Sequence, residues 1–147
     1  MNVLQKMVAR SLWASIGAVA ILAAGCATSM SLDGVASVTL SGNQEVPSVN
    51  TSASGRGTIT VNKDKSVSGS VTTTGVNATA AHIHMGPAGQ NGPVAINMTK
   101  TADGVWSVPA GADVTDAQYN AFNAGNLYIN VHSAAYPAGE IRGQIKP

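Results

Sequence analysis

The stretch Ala81–Pro87 reads AHIHMGP and places two of the three histidines of the chain two residues apart. Side chains of a β-strand point alternately to its two faces. His82 and His84 therefore share one face of the predicted strand, and Ile83 lies on the other. We expect the isoleucine to face an apolar core and the two imidazole rings to point away from it.

Two segments farther along the chain show the same alternation of apolar and polar residues. They are Tyr128–His132 and Glu140–Ile145. In both, Ile or Val recurs at every second position, which predicts strands with one buried face. If all three strands turn their apolar faces into one core, their other faces bring together a set of polar side chains: His82, His84, Asn130, His132, Glu140 and Arg142.

The remaining strands are predicted from short segments bounded by Gly, Pro, Asn and Asp. Gly57–Val61 and Ser66–Thr74 flank the polar turn Asn62–Lys65, a pattern typical of a β-hairpin. Further strands are expected at Val35–Leu40, Val94–Met98 and Val105–Val108. Together these segments predict an all-β fold, an antiparallel β-sandwich of the immunoglobulin-like, Greek-key type.

One short helix is predicted as an insertion at Asp113–Asn123. Asp113 or Thr115 is suited to cap its first turn, because both side chains offer an oxygen to free backbone N–H groups. Gly125 follows as a stop signal. We expect this helix to pack over one end of the sheet.

The first 25 residues have the pattern of an export signal. Lys6 and Arg10 precede an apolar run over Leu12–Ala24, which is shorter than the ~20 residues of a transmembrane helix. The small residues before Cys26, the only cysteine, resemble the lipobox of bacterial lipoproteins. That resemblance implies cleavage before Cys26 and lipidation of its thiol, and an ordinary secretory signal is the alternative.

Three regions follow from this pattern: a signal peptide at residues 1–25, a flexible tether at residues 26–36, and one domain at residues 37–147. Ala27, in place of an aspartate, resembles the sorting pattern for the outer membrane. We therefore expect an exported protein, lipid-anchored in the cell envelope, in the outer membrane if the host has one. The chain has eight basic and seven acidic residues and no basic patch, so nucleic acid is not an expected partner.

Four separated motifs resemble the CHRD domain family, which takes its name from chordin and includes single-domain exported bacterial proteins. They are LSGNQEVP at 40–47, AHIH at 81–84, GNLYINVH at 125–132 and YPAGEIRGQ at 136–144. The resemblance runs in order from Val38 to Ile145. It implies a β-sandwich-like extracytoplasmic domain, in this chain a lipoprotein member, and implies little about activity.

The polar faces of the three strands allow two interpretations. In the first, His82, His84 and His132 with one carboxylate, that of Glu140 or Glu45, bind Cu or Zn, metals for which imidazole is a suitable ligand. In the second, the same residues form a buried hydrogen-bond network that fixes the register of the strands. Residues assigned to support the site or the network are Glu45, Asn130 and Arg142, with Arg142 paired to Glu45 or Glu140.

We expect no catalysis, because the chain has no recognisable nucleophile motif and no Gly-rich phosphate loop before a helix. The sequence predicts a lipid-anchored binding module that recognises an envelope or extracellular protein or glycan. The loops Gly86–Pro93 and Ser133–Gly139 would present the binding surface. The alternatives are a copper or zinc binding protein with a three-histidine site, and a metal-dependent envelope enzyme.

Overall fold

The structure, a computed structural model, describes residues 34–147. The predicted signal peptide, the lipidation site Cys26 and most of the tether lie outside the described residues. In chain order the elements are β1 (Val35–Ser41), a 3-10 helix (Gly42–Gln44), β2 (Ser54–Val61), β3 (Val67–Thr74), β4 (Ala78–Met85), β5 (Val94–Asn97), β6 (Thr99–Ala102), β7 (Val105–Ser107), α1 (Asp116–Asn123), β8 (Leu127–Ser133) and β9 (Ile141–Ile145).

Hydrogen bonds connect the nine strands in one antiparallel sheet, in the order β5-β4-β8-β9-β1-β2-β3-β7-β6. The two outermost strands, β5 and β6, are consecutive in the chain and separated only by Met98. In a flat sheet the eight spacings between nine strands would put these strands roughly 38 Å apart, far more than one residue spans. The sheet therefore curls into a nearly closed barrel, and the Met98 backbone N–H donates to the Ala81 carbonyl on β4 at 3.0 Å.

The predicted all-β, antiparallel class is confirmed, but the immunoglobulin-like sandwich is not. A sandwich needs two sheets packed face to face, whereas hydrogen bonds here run through all nine strands of a single sheet. Alternation along a strand reports one buried face, and both a sandwich and a barrel provide such a face. The pattern therefore predicted which side chains are buried without distinguishing the two architectures.

The predicted apolar faces form the interior of the barrel. Five of the residues expected there are at most 1% exposed: Ile83, Ile129, Val131, Ile141 and Ile145. Since side chains alternate, the residues between them point to the outer face of β4, β8 and β9. This outer face carries the candidate site.

The predicted helix is present and begins three residues later than expected, at Asp116. Thr115 caps it through a capping box: its hydroxyl accepts from the Gln118 N–H at 3.2 Å, and the Gln118 side chain accepts from the Thr115 N–H at 2.8 Å. Asp113 instead forms a β-bridge with Ser66. Within residues 34–147 no helix combines the length and apolar character needed to cross a membrane.

The predicted hairpin is confirmed, with β2 and β3 paired from Ser54 opposite Thr74 to Val61 opposite Val67. Strand β6 was not predicted. Its four side chains are all exposed, so it has no buried face and no apolar alternation that sequence reasoning could detect. Pairing with β7 holds it in the sheet.

Candidate metal centre

Strand register aligns the site residues across the outer face of β4, β8 and β9. His82 is paired with Asn130, and Asn130 is paired with Arg142 on the next strand. One step along the strands, His84 is paired with Tyr128. Paired residues on one face of a sheet lie within contact distance, so two rows of polar side chains cross the three strands.

The three histidines lie close together, as the alternation of side chains along β4 and β8 predicted. One ring nitrogen from each lies within 4.8 Å of those of the other two, and this is the one such group among the residues that the structure describes. The closest approach is 3.0 Å, between Nδ1 of His82 and Nε2 of His132. The ring centres of His82 and His84 are 5.6 Å apart. All three side chains are partly buried.

Backbone carbonyls fix the tautomers of two of the rings. Nδ1–H of His84 donates to the Gly92 carbonyl at 2.9 Å, and Nδ1–H of His132 donates to the Pro137 carbonyl at 3.0 Å. A carbonyl oxygen only accepts, so these nitrogens carry the proton and the lone pair of each neutral ring is on Nε2. Nε2 of His132 faces His82. Nε2 of His84 is buried and has no hydrogen-bond partner among the described residues.

Burial also keeps two of the rings neutral. Burial is the largest cause lowering the pKa of His82, with further contributions from neighbouring His132 and His84. It likewise lowers the pKa of His84, although the hydrogen bond to the Gly92 carbonyl opposes the shift. Neutral imidazole is the form that binds metals. Both rings are therefore available as ligands at neutral pH.

Glu140, one of the two carboxylates predicted as a fourth ligand, does not join the histidine group. Strand β9 begins at Ile141, so Glu140 lies in the preceding bend and does not follow the alternation of the strand. The carboxylate is buried and its Oε1 accepts from the Thr51 hydroxyl at 2.9 Å. The structure thus places this carboxylate against the segment after β1 rather than against the imidazoles.

Glu45 is the carboxylate that lies beside the histidine strands. It follows the 3-10 helix, and its Oε1 accepts a short hydrogen bond from the side-chain amide of Asn130. Burial raises the pKa of Glu45 to about 7, against the opposing effects of Arg142 and Asn130. Gly139 closes over this pair: a Cβ there would lie 2.8 Å from Glu45 Oε1. A larger residue at position 139 would therefore push the pair apart.

Arg142 is 1% exposed and joins the strands to the loop that contains residues 86–93. Its guanidinium carbon lies 3.4 Å from the centre of the Tyr128 ring, a cation–π contact. It also donates to the carbonyl of Pro87 at 3.0 Å and to the side-chain oxygen of Asn91 at 3.3 Å. The predicted ion pair of Arg142 with a carboxylate is absent from the described part of the chain.

Sequence reasoning missed the part that Tyr128 plays. Its ring stacks on His84, with centroids 5.0 Å apart and planes 9° apart. Its hydroxyl accepts from the Gly92 N–H at 3.0 Å. The alternation along Tyr128–His132 placed Tyr128 on the same face as His132, and this was the only sign in the sequence that it belongs to the site. The carbonyls of Gly92 and Pro137 had no signal, because any residue type supplies a carbonyl.

A shallow pocket opens beside the site, between two loops. Its volume is about 410 Å³, and it is lined mainly by apolar residues of the segments 45–50 and 135–139. Tyr136, at its edge, is 37% exposed. Because Pro137 also accepts the His132 N–H, the histidine group and the pocket share the loop between β8 and β9.

Comparison with known proteins gives one match. The family model described as the CHRD domain matches residues 36–145 of the chain. This range runs from the second residue of β1 to the last residue of β9 and contains every residue of the candidate site. No curated protein and no solved structure matches the chain.

Proposed function

The chain belongs to the CHRD domain family, and we propose that its domain is a binding module for a divalent transition-metal ion, Cu(II) or Zn(II). The ligands are His82, His84 and His132. The observation that carries the proposal is the pair of carbonyl contacts, to Gly92 and Pro137, that leave Nε2 of two rings unprotonated. In metal sites the second ring nitrogen of a ligating histidine is usually held in this way by a carbonyl or carboxylate.

The alternative, a hydrogen-bond network without metal, leaves one acceptor unsatisfied. Three neutral imidazoles have three N–H groups, and the carbonyls of Gly92 and Pro137 take two of them. The third N–H group, on Nδ1 of His82, donates to Nε2 of His132. Nε2 of His84 is left buried and unpartnered. Such a group costs about 1–3 kcal/mol, a cost that a bound cation removes.

The separations of the ring nitrogens suit a metal ion. A tetrahedral zinc with Zn–N bonds of about 2.05 Å holds its ligand atoms about 3.3 Å apart. His82 and His132 are 3.0 Å apart at their closest nitrogens, and the whole group lies within 4.8 Å. An ion bound between these nitrogens would displace the hydrogen bond from His82 to His132, with the His82 proton moved from Nδ1 to Nε2.

Calorimetric titration of the metal-free chain with Cu(II) and with Zn(II) tests this proposal. We expect one ion per chain, and a loss of affinity of about 100-fold or more in His84→Ala and His132→Ala, since each removes a direct ligand. Glu140→Gln is the matched control and should bind as tightly as the wild type. Affinity weaker than millimolar, or affinity unchanged in the histidine variants, would contradict the proposal.

We further propose that the module is a bacterial lipoprotein, anchored in the envelope through a lipid on Cys26. The small residues before this cysteine and the apolar run Leu12–Ala24 support the proposal. Labelling with a radioactive fatty acid should mark the wild type and not Cys26→Ser. A labelled Cys26→Ser chain, or a wild type recovered entirely in the soluble fraction, would contradict it.

Recognition of an envelope or extracellular protein or glycan is a second candidate function. The pocket between segments 45–50 and 135–139, with Tyr136 exposed at its edge, favours it. Crosslinking at position 136 in intact cells should then capture a specific component, and Tyr136→Ser should abolish binding of that component. A crosslinker at exposed Thr72 is the control. Capture of the same component from both positions would argue against a specific partner.

A further inference from the structure

Among the His, Cys, Asp and Glu side chains of the described residues, three supply ligand atoms to one group and none supplies a fourth. Two buried carboxylates lie near the site: Glu140 accepts from the Thr51 hydroxyl, and Glu45 accepts from the side-chain amide of Asn130. No oxygen of either carboxylate belongs to the group of three ligand atoms that lie within 4.8 Å of one another. Zinc takes four ligands, and Cu(II) takes at least four in its tetragonal sites. An ion held by the three imidazoles therefore has a coordination position that they do not fill.

The rings are held in place by contacts that an ion would not replace. His84 is stacked on Tyr128 and anchored to the Gly92 carbonyl, and His132 is anchored to the Pro137 carbonyl. Nε2 of His84 has no solvent contact, while the side chains of all three histidines are only partly buried. Solvent therefore reaches part of the histidine group.

Charge selects the kind of molecule that binds there. Three neutral imidazoles leave the full charge of a divalent ion uncompensated. Arg142 adds a buried positive charge that forms no ion pair among residues 34–147. It lies close to His84, because its guanidinium carbon is 3.4 Å from the centre of the Tyr128 ring, which is stacked on His84. A site with excess positive charge and no anionic protein ligand favours a small anion over a neutral molecule.

We infer that the metal site has an exchangeable coordination position that binds a small anion from solution, with water or hydroxide there otherwise. The inference rests on the proposed function, since it needs the metal to bind. It goes further by making the bound ion a receptor for a second ligand. Three protein ligands with one open position is the arrangement of reactive metal sites, whereas structural zinc sites have four protein ligands.

Titration with azide, an anion that gives a charge-transfer absorption band when it binds Cu(II), tests the inference. The metal-free full chain is loaded with one equivalent of Cu(II), and sodium azide is added. We expect a new near-ultraviolet band that saturates with azide, with equal half-saturation in the wild type and in Glu140→Gln and Glu45→Gln. An azide band confined to one of these variants would show that its carboxylate fills the position in the wild type, and would overturn the inference.

The outcomes separate the two proposals. A chain that fails to bind Cu(II) contradicts the proposed function itself. A chain that binds Cu(II) but shows an unchanged spectrum at saturating azide leaves the proposed function standing and overturns the open position. A Cu(II)-dependent dimer in size-exclusion chromatography that azide does not dissociate also overturns it, because a side chain of a second copy would then occupy the position.

Discussion

Two parts of the outer face of the barrel have the same alternation of side chains along their strands, but their outward residues differ in exposure. On β1, β2 and β3 the outward residues are mostly Ser and Thr, and many, such as Thr39, Arg56 and Thr72, are exposed. On β4, β8 and β9 polar residues also point outward, yet Asn130 and Arg142 are at most 4% exposed. Loops cover the second face and not the first. The strands decide which side chains leave the core, and the loops decide which of them become a buried site.

The largest expected effect compares two arginines, one from each face. Arg142→Ala should lower the free energy of unfolding by about 2–3 kcal/mol, because it removes a cation–π contact and charged hydrogen bonds that attach the loop of residues 86–93. Arg56→Ala, on the exposed face, should change it by less than about 0.5 kcal/mol. Urea unfolding of the metal-free chain measures both, and equal losses would contradict the contrast between the faces.

The next effect concerns the pH dependence of stability and comes from Glu45. Its pKa is about 7 in the fold against 4.5 for an ordinary glutamate, so between these values the folded chain holds a proton that the unfolded chain has released. The stabilisation is present at low pH and is lost as pH rises through the folded pKa. We expect a contribution on the order of 2 kcal/mol to be lost between pH 5 and pH 8, after allowance for residual solvent.

Glu45→Gln isolates this contribution, because glutamine keeps the acceptor for Asn130 and does not titrate. The difference in unfolding free energy between wild type and variant should then shift in favour of the variant as pH rises. His82 and His84 have lowered pKa values and act in the opposite direction below pH 6.5, but they are common to both chains and cancel in the difference. A difference that is constant from pH 5 to pH 8 would contradict the assignment.

A smaller effect is expected from Tyr128→Phe, which keeps the stacked ring and removes only the hydroxyl. The Gly92 N–H then loses its acceptor, at a cost of about 1 kcal/mol in unfolding free energy. Because Gly92 also holds His84, zinc affinity should fall by about tenfold. Thr72→Val on the exposed face is the control, with neither quantity changed. Unchanged zinc affinity in Tyr128→Phe would show that the hydroxyl does not help to position His84.

How much the sequence could reveal differs between strands and loops. The alternation in Ala81–Pro87 and Tyr128–His132 was enough to place His82, His84 and His132 on one face and their neighbours in the core. Alternation is a property of each strand by itself, so it is visible in the chain. The same reasoning failed for Glu140, because the strand begins one residue later and parity does not extend into the bend.

Two features could not be predicted from the sequence: the closure of the sheet, and the loop carbonyls that hold the histidine rings. Closure depends on Met98 joining two edge strands, and β6 has no buried face to mark it as a strand. The tautomers of His84 and His132 depend on carbonyls of loop residues, which carry no signature in the sequence. The strands therefore position the histidine rings, and the conformation of the loops decides which ring nitrogen carries the proton.

The central claim is that Nε2 of His84 and Nε2 of His132 present lone pairs to a common metal ion. Nitrogen-15 NMR of the histidine side chains in the full chain tests this most directly, before and after one equivalent of Zn(II). The account predicts Nδ1–H tautomers for both residues in the metal-free chain, and zinc-induced shifts at both Nε2 atoms. An Nε2–H tautomer at either residue that persists after zinc is added would contradict it.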